Sequence, residues 1–574
     1  MKSSIKTFKI LLLFSCLILA ACDNDDKSLD TIITNAEIYP IVEAAVAYDA
    51  IGIKDGKISM LGMSEELLNK HKGEKTIVHD MEGQFLMPGF IEGHGHYSNL
   101  GKSIQNLNFL ADTSWQQITA KVENKVRELG PNEWIYGRGW HQEKFTEVPV
   151  EAIGKYPTHK SISELSKDNP VILIHASGHS LFANEKAMEI AGINKEMPDP
   201  AGGNIIRDSD GEAIGIFEER GMGPIQTAYQ EYLNEMPEEK RKELWKDAIK
   251  QAEEECLSKG ITSFQDAGSK FHELKWYEEM ARNGEHNLRL WVMVRHSAEE
   301  IQGKLSVCRM LDVGDGFYTC RAVKSELDGA LGAHGAWLLK PYDDKKDFYG
   351  QNTTEVTEVE KIAQMAYDNN MQLCVHAIGD KANRATLDIF EAYKNKDNSA
   401  DLRWRVEHAQ HLHVEDIPRF KEIGAIASMQ GIHCTSDAPF VETRLGHERA
   451  SEGAYAWRSL LDAGAVVVNG TDAPVEDVNP LASIYASVTR KRQNPKMEFI
   501  PEQRMTREEA LYSYTMAPAF AGFEEDKKGS IEIGKYADFV VLDKNILTCK
   551  EEDIEKIKVL HTIVAGKIRY SLKE

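Results

Sequence analysis

Met87-Pro88-Gly89-Phe90-Ile91-Glu92-Gly93-His94-Gly95-His96 is an apolar run that closes on two histidines. In a strand, side chains two apart project from the same face, so this stretch, read as a strand, presents His94 and His96 side by side, able to grip one ion. A lone histidine near an apolar strand is more often a satisfied core residue than a ligand. The question is therefore whether other strand ends carry side chains of the same kind.

Working outward, eight strand-like runs can be read: Phe85 to His96, Ile261 to Gly268, Leu288 to Val294, Thr319 to Leu327, Met371 to Ala377, Leu402 to Ala409, Ala425 to Gln430 and Val466 to Ala473. Helical stretches such as Glu238 to Leu257, Thr354 to Asn369 and Lys381 to Tyr393 separate them. Such alternation implies βα units and a parallel sheet, and eight strands are what a (β/α)8 barrel needs. The expected fold is thus α/β, a TIM-like barrel over residues 85–524. The interval from Asn99 to about Glu255 is too long for one βα connection and is expected to hold an inserted subdomain. Lys324 lies near the end of strand four, His376 and His408 end strands five and six, and Asp472 ends strand eight. The C-terminal strand ends of a barrel surround one cavity, so these four would converge there with His94 and His96.

Both chain ends read as β structure. Residues 31–84 alternate apolar and polar with turn signals such as Lys54-Asp55-Gly56-Lys57, and Gly529 to Asp543 and Val559 to Tyr570 look like partner strands. Residues 31–84 and 525–574 are expected to form one composite β-sandwich. Before them, Lys2, Lys6 and Lys9 precede an apolar stretch from Ile10 to Leu19 and the small residues Ala20 and Ala21, a secretory signal over residues 1–21. Leu19-Ala20-Ala21-Cys22 resembles a bacterial lipobox, with Cys22 the acylated residue and residues 22–30 a solvated tether. The expectation is an exported lipoprotein held at a bacterial membrane surface, on the periplasmic or outer face.

The chain has 574 residues and a formal charge of −23, with no basic stripe, which argues against nucleic acid as a partner. Cys256, Cys308, Cys320, Cys374, Cys434 and Cys549 show no Cys-x-x-Cys spacing, and most are expected to be buried free thiols. Elbow, phosphate-loop and His-Glu-x-x-His signatures are absent from the sequence.

The opening decapeptide resembles the first motif of the amidohydrolase superfamily, and nearly all of the mature chain resembles its family-3 branch, the N-substituted formamide deformylase-like group. Further matching pieces are Gly137-Arg138-Gly139-Trp140, Ser177-Gly178-His179, Val375-His376-Ala377-Ile378-Gly379-Asp380, Arg405-Val406-Glu407-His408-Ala409-Gln410 and Gly470-Thr471-Asp472-Ala473-Pro474-Val475. The resemblance implies one or two divalent metal ions, with His94, His96 and Asp472 on one and His376 and His408 on the other. Lys324 would bridge them as a carbamate; a core lysine paired with Asp328 is the competing reading. Imidazole and carboxylate ligands suit zinc, with manganese, iron or cobalt as alternatives.

The implied reaction is hydrolysis of a non-peptide C–N bond in a small N-acyl, formamide-like or cyclic amide by a metal-activated hydroxide, Asp472 carrying the proton. Dipeptidase or deaminase chemistry, or a surface binding protein without catalysis, are the alternatives. The resemblance also suggests His179 for binding the substrate carbonyl, against a loop-stabilising role. Trp140, His141, His334 and Gln430 are candidate substrate contacts. His141 and His334 stand where relatives of this type have Asp and Arg, which leaves specificity open. A homodimer is also allowed.

Overall fold

The computed structural model describes residues 28–42, 48–176, 178–493 and 496–573. The leader and Cys22 lie outside the described residues. Among the described residues no helix is long and apolar enough to cross a membrane.

Eight parallel strands lie side by side in chain order: Phe90–Gly95, Ile261–Ser269, Arg289–Val294, Tyr318–Glu326, Gln372–Ala377, Arg405–His408, Ile426–Gln430 and Val466–Gly470. Most of their residues are buried, as parallel strands covered on both faces should be. Past the last strand, Asp472 N–H donates to His94 O (2.8 Å) and His96 N–H to Ala473 O (2.7 Å), which joins the eighth strand's end to the first. The fold is a TIM-like barrel.

The strand expected over Phe85 to His96 is in fact two. Phe85–Pro88 pairs antiparallel with Phe539–Leu542, near the other end of the chain, while Phe90–Gly95 pairs with Ile261–Ser269 in the barrel. Gly89 is the joint, where a Cβ would stand 2.2 Å from Thr262 Cγ2, so glycine leaves the room that the Thr262 side chain fills. The strand expected over Gly529 to Asp543 is likewise shorter, because Lys535 N–H turns back onto Glu532 O and Gly534 takes φ 94°, leaving only Phe539–Leu542 extended.

Both chain ends build one two-sheet unit. One sheet holds Lys57–Gly62, Ala50–Lys54, Thr31–Thr34 and Ile77–Asp80; the other holds Glu37–Ile38, Phe85–Pro88, Phe539–Leu542, Val559–Val564 and Lys567–Ser571. Ile33, Ile51, Ile53 and Leu86 pack with Phe539, Val541 and Ile563 between them. Arg289, at the start of the third barrel strand, ties this unit to the barrel: its Nε and Nη2 donate to Asp538 at 2.7 and 3.1 Å, and its guanidinium lies 3.6 Å from the Tyr536 ring centroid.

Between the first two barrel strands stands a six-stranded sheet, in the order Gly203–Arg207, Ala213–Glu219, Ser180–Ala183, Val171–His175, Ile135–Trp140 and Leu107–Asn108. Helix Glu238–Ser258 returns the chain to the barrel and packs on Tyr97–Gln105, so closely that a Cβ on Gly101 would stand 2.0 Å from Ala248 O. That helix therefore belongs to the barrel wall, and the excursion is shorter than the expected Asn99 to Glu255. All six cysteines named above are unpaired, and only Cys549 is partly exposed.

Candidate metal centre

The C-terminal strand ends bring His94, His96, Lys324, His376, His408 and Asp472 close together. His96 Nε2 is 3.1 Å and His94 Nε2 3.5 Å from Asp472 Oδ1. The His408 ring centroid lies 4.8 Å from that of His94 and 4.4 Å from that of His376. His94, Lys324, His408 and Asp472 are buried. His408 and Asp472 have φ of 74° and 58°, left-handed values that side-chain-bearing residues seldom adopt and that cluster at functional sites. The backbone turn at His408 matters: strict alternation along Arg405–His408 would send Glu407 and His408 to opposite faces, whereas both serve this cluster.

Each imidazole is held from behind. His94 Nδ1–H donates to the Glu407 carboxylate. Glu407 Oε1 in turn lies 2.8 Å from Arg405 Nε, with both side chains fully buried. His408 Nδ1–H donates to Gln430 Oε1 at 2.7 Å. Acceptors behind Nδ1 fix the tautomer and leave the Nε2 lone pair for a metal.

Burial, reinforced by the charge of Lys324, lowers the pKa of His94 to about 4 and of His376 to about 3, so both rings are neutral near pH 7. Burial alone would raise the Asp472 pKa, but the His96 hydrogen bond and nearby imidazoles hold it well below the usual carboxylate range. For Glu407 too, burial is outweighed by Arg405 and His94, which keep it ionised. Burial depresses the Lys324 pKa.

Do these residues fit a metal? His94 Nε2 and His376 Nε2 are buried without a hydrogen-bond partner, and Asp472 Oδ1 faces the imidazole nitrogens of His96 and His94, an arrangement that costs free energy unless something coordinates them. Imidazole nitrogen with carboxylate oxygen is a donor set for zinc and its neighbours. The residues fit. His94, His96 and Asp472 each place a ligand atom within 4.8 Å of the others, and so do His408, His433 and Asp472.

The remaining sequence candidates fall elsewhere. Trp140 is not a pocket residue: it is fully buried in the core of the insertion, and its indole N–H donates to Leu173 O at 2.8 Å. Gln430 stands behind His408 rather than facing substrate. His141 Nδ1 accepts from Glu143 N–H at 3.1 Å, with its ring against His175. His334 pairs with Asp344 at 3.2 Å, a carboxylate that Arg444 also holds. His179, on the insertion, is exposed and 3.1 Å from Glu219. Asp328 is no partner for Lys324, for it accepts the backbone N–H groups of Trp337, Ile378 and Gly379. Residues that sequence reasoning left without a role are Glu407, Arg405 and His433; the first two lie inside a quoted motif, and their spacing of two was the available signal.

Residues 78–570 match the amidohydrolase family, and the chain belongs to it. It is 31% identical over 94% of its length to protein LONG AFTER FAR-RED 3 of Arabidopsis thaliana, covering 91% of that protein. It is 26% identical over 94% of its length to the N-substituted formamide deformylase of Arthrobacter pascens, covering 98% of it. Among solved structures it resembles an uncharacterized metal-dependent hydrolase from Pyrococcus horikoshii, with TM-score 0.74 and 26% identity, over 91% of this chain and 99% of that one.

Proposed function

We propose that this protein is a metal-dependent hydrolase that cleaves a non-peptide carbon–nitrogen bond in a small N-acyl, formamide-like or cyclic amide. The observation that carries the reading is the set of ligand atoms at the barrel's strand ends: His94 Nε2 and His376 Nε2, buried without a hydrogen-bond partner, and Asp472 Oδ1, 3.1 and 3.5 Å from the Nε2 atoms of His96 and His94. His94, His96 and Asp472 would hold one ion and His376 and His408 a second, with Lys324 between them as a carbamate. A divalent ion bound there supplies a Lewis acid that polarises an amide carbonyl and lowers the pKa of water. Zinc suits the donor set.

The chain's own residues do the rest. Glu407 and Gln430 hold the His94 and His408 rings with their Nε2 atoms towards the cluster. Asp472, held ionised, accepts a proton from the attacking water and passes it to the departing nitrogen. The C–N bond breaks, a C–O bond forms, and an amine and a carboxylic acid leave. The formamide-like choice is supported by the relative named an N-substituted formamide deformylase. The leader sequence supports export and attachment to a bacterial membrane through Cys22.

The test is elemental analysis of the purified protein beside an amine-release screen on N-formyl, N-acyl and cyclic amides. Asp472→Asn should retain metal and lose about 10²–10⁴ of the rate, the range for removing a positioned proton carrier. Protein that binds no metal in any preparation, or an Asn variant that turns over normally, would remove the reading. Mass spectrometry of membrane-extracted protein should show acyl chains on Cys22.

A further inference from the structure

The imidazoles of this cluster divide by what stands behind them. Behind His94 and His408 the Nδ1 partner is an acceptor, the Glu407 carboxylate and Gln430 Oε1 respectively. Behind His433 it is a donor: Gln410 Nε2 lies 3.2 Å from His433 Nδ1. A neutral imidazole has one N–H, so a ring that accepts at Nδ1 carries its proton on Nε2. That Nε2 is buried without a hydrogen-bond partner, and the residue is 7% exposed. The His433 ring nevertheless lies in the cluster, near-parallel to His408 (9°) with centroids 6.4 Å apart, and one of its nitrogens is within 4.8 Å of ligand atoms of His408 and Asp472.

We propose that His433 is no metal ligand but the hydrogen-bond donor that holds the substrate's carbonyl oxygen through Nε2–H. This deepens the hydrolase reading above and rests on it. The placement is rigid. His433 is in the first turn of helix Gly431–Leu445, directly after the seventh strand, and Gly431 N–H donates to Asn469 Oδ1 at 2.8 Å. A Cβ on Gly431 would stand 2.3 Å from Ser487 Oγ, so the helix start is clamped against its neighbour. Gln410 is fixed through its main chain, whose carbonyl accepts Tyr455 N–H at 2.7 Å. One helical turn beyond His433, Asp437 accepts the Tyr455 hydroxyl at 2.5 Å. A donor pre-set in this way meets the negative charge that grows on the carbonyl oxygen as water adds, and it does so without reorganising.

The experiment compares zinc-loaded full-length protein with His433→Phe, His433→Gln and, as control, His408→Phe. Metal content is measured by mass spectrometry and turnover with an N-formyl amine. His408→Phe should lose metal. His433→Phe should keep the parent's metal content and lose about 10²–10³ in kcat, the value of one such donor. His433→Gln, whose amide N–H reaches the same place, should recover part of that rate. Loss of metal in His433→Phe would make the residue a ligand and overturn the proposal, as would unchanged kcat. Should the phenylalanine variant not fold, the glutamine variant is read by the same two measurements. ¹⁵N NMR of the His433 ring in the parent gives a readout independent of turnover: a proton on Nε2 supports the assignment and a proton on Nδ1 refutes it. Parent protein with neither metal nor amide hydrolysis sinks the hydrolase reading instead, and the donor role with it, whatever the ring's tautomer.

Discussion

Replacing Glu407 by Gln should weaken zinc binding about 10- to 100-fold, the usual effect of losing the group behind a metal-binding histidine. The magnitude follows from what stands at each of the carboxylate's two buried oxygens. Oε2 takes the His94 Nδ1 proton, and Oε1 lies 2.8 Å from Arg405 Nε. Glutamine has the same shape but one acceptor oxygen, so its NH₂ must face either His94 or Arg405. Facing His94, it donates to Nδ1, drives the ring's proton onto Nε2 and removes the lone pair a metal needs. Facing Arg405, it sets donor against donor in a buried site. Either arrangement leaves one polar contact unmatched, at about 1–3 kcal/mol, or roughly one to two powers of ten in affinity. The fold should survive, because Arg405 keeps Gln265 Oε1 and Gly93 O at 2.6 Å and Ser428 Oγ at 2.7 Å. The assay is zinc titration of apoprotein against a chromophoric chelator, with a urea melt to check folding. A folded variant that binds zinc as tightly as the parent would refute the reasoning.

Two further predictions concern stability. Asp538→Ala removes the carboxylate that two Arg289 nitrogens and Ala565 N–H share, and leaves a buried guanidinium uncompensated. It should cost about 3–5 kcal/mol in urea denaturation, whereas a loss below about 1 kcal/mol would class the pair with exposed surface bridges. The second concerns acid. His94 and His376 titrate at about 4 and about 3 in the folded protein against an ordinary 6.5, so the folded state binds their protons less readily than the unfolded chain. Their contribution is complete above pH 6.5 and is lost as pH falls through the folded values. Chelator-treated protein should therefore show a melting temperature that declines steadily once the pH drops below 6.5; a flat profile down to pH 4 would contradict the assignment of neutral buried rings.

The barrel was legible because its strands are buried on both faces and read as largely apolar runs, five of them carrying a candidate ligand at or near the end. Runs ending at His376, His408 and Asp472 needed no tertiary information to be recognised. The break at Gly89 was not legible. Phe85–Pro88 and Phe90–Gly95 are one apolar stretch in sequence, and only their partners, Phe539–Leu542 and Ile261–Ser269, assign them to different sheets. Trp140 failed for a related reason, since an aromatic at a strand end reads the same whether it lines a pocket or fills a core.

What the sequence determined by itself was the set of metal-ligand candidates, because strand ends and residue chemistry are local properties. The partners behind them were decided by the tertiary structure. Glu407 reaches His94 from across the barrel, Gln430 reaches His408 from the next strand, and Gln410 stands behind His433. The first contact forms only when the sheet curls round to join its first and last strands, and the other two only when neighbouring strands pair. They set which ring nitrogen carries the proton, and hence which histidines offer a lone pair and which offers a hydrogen bond.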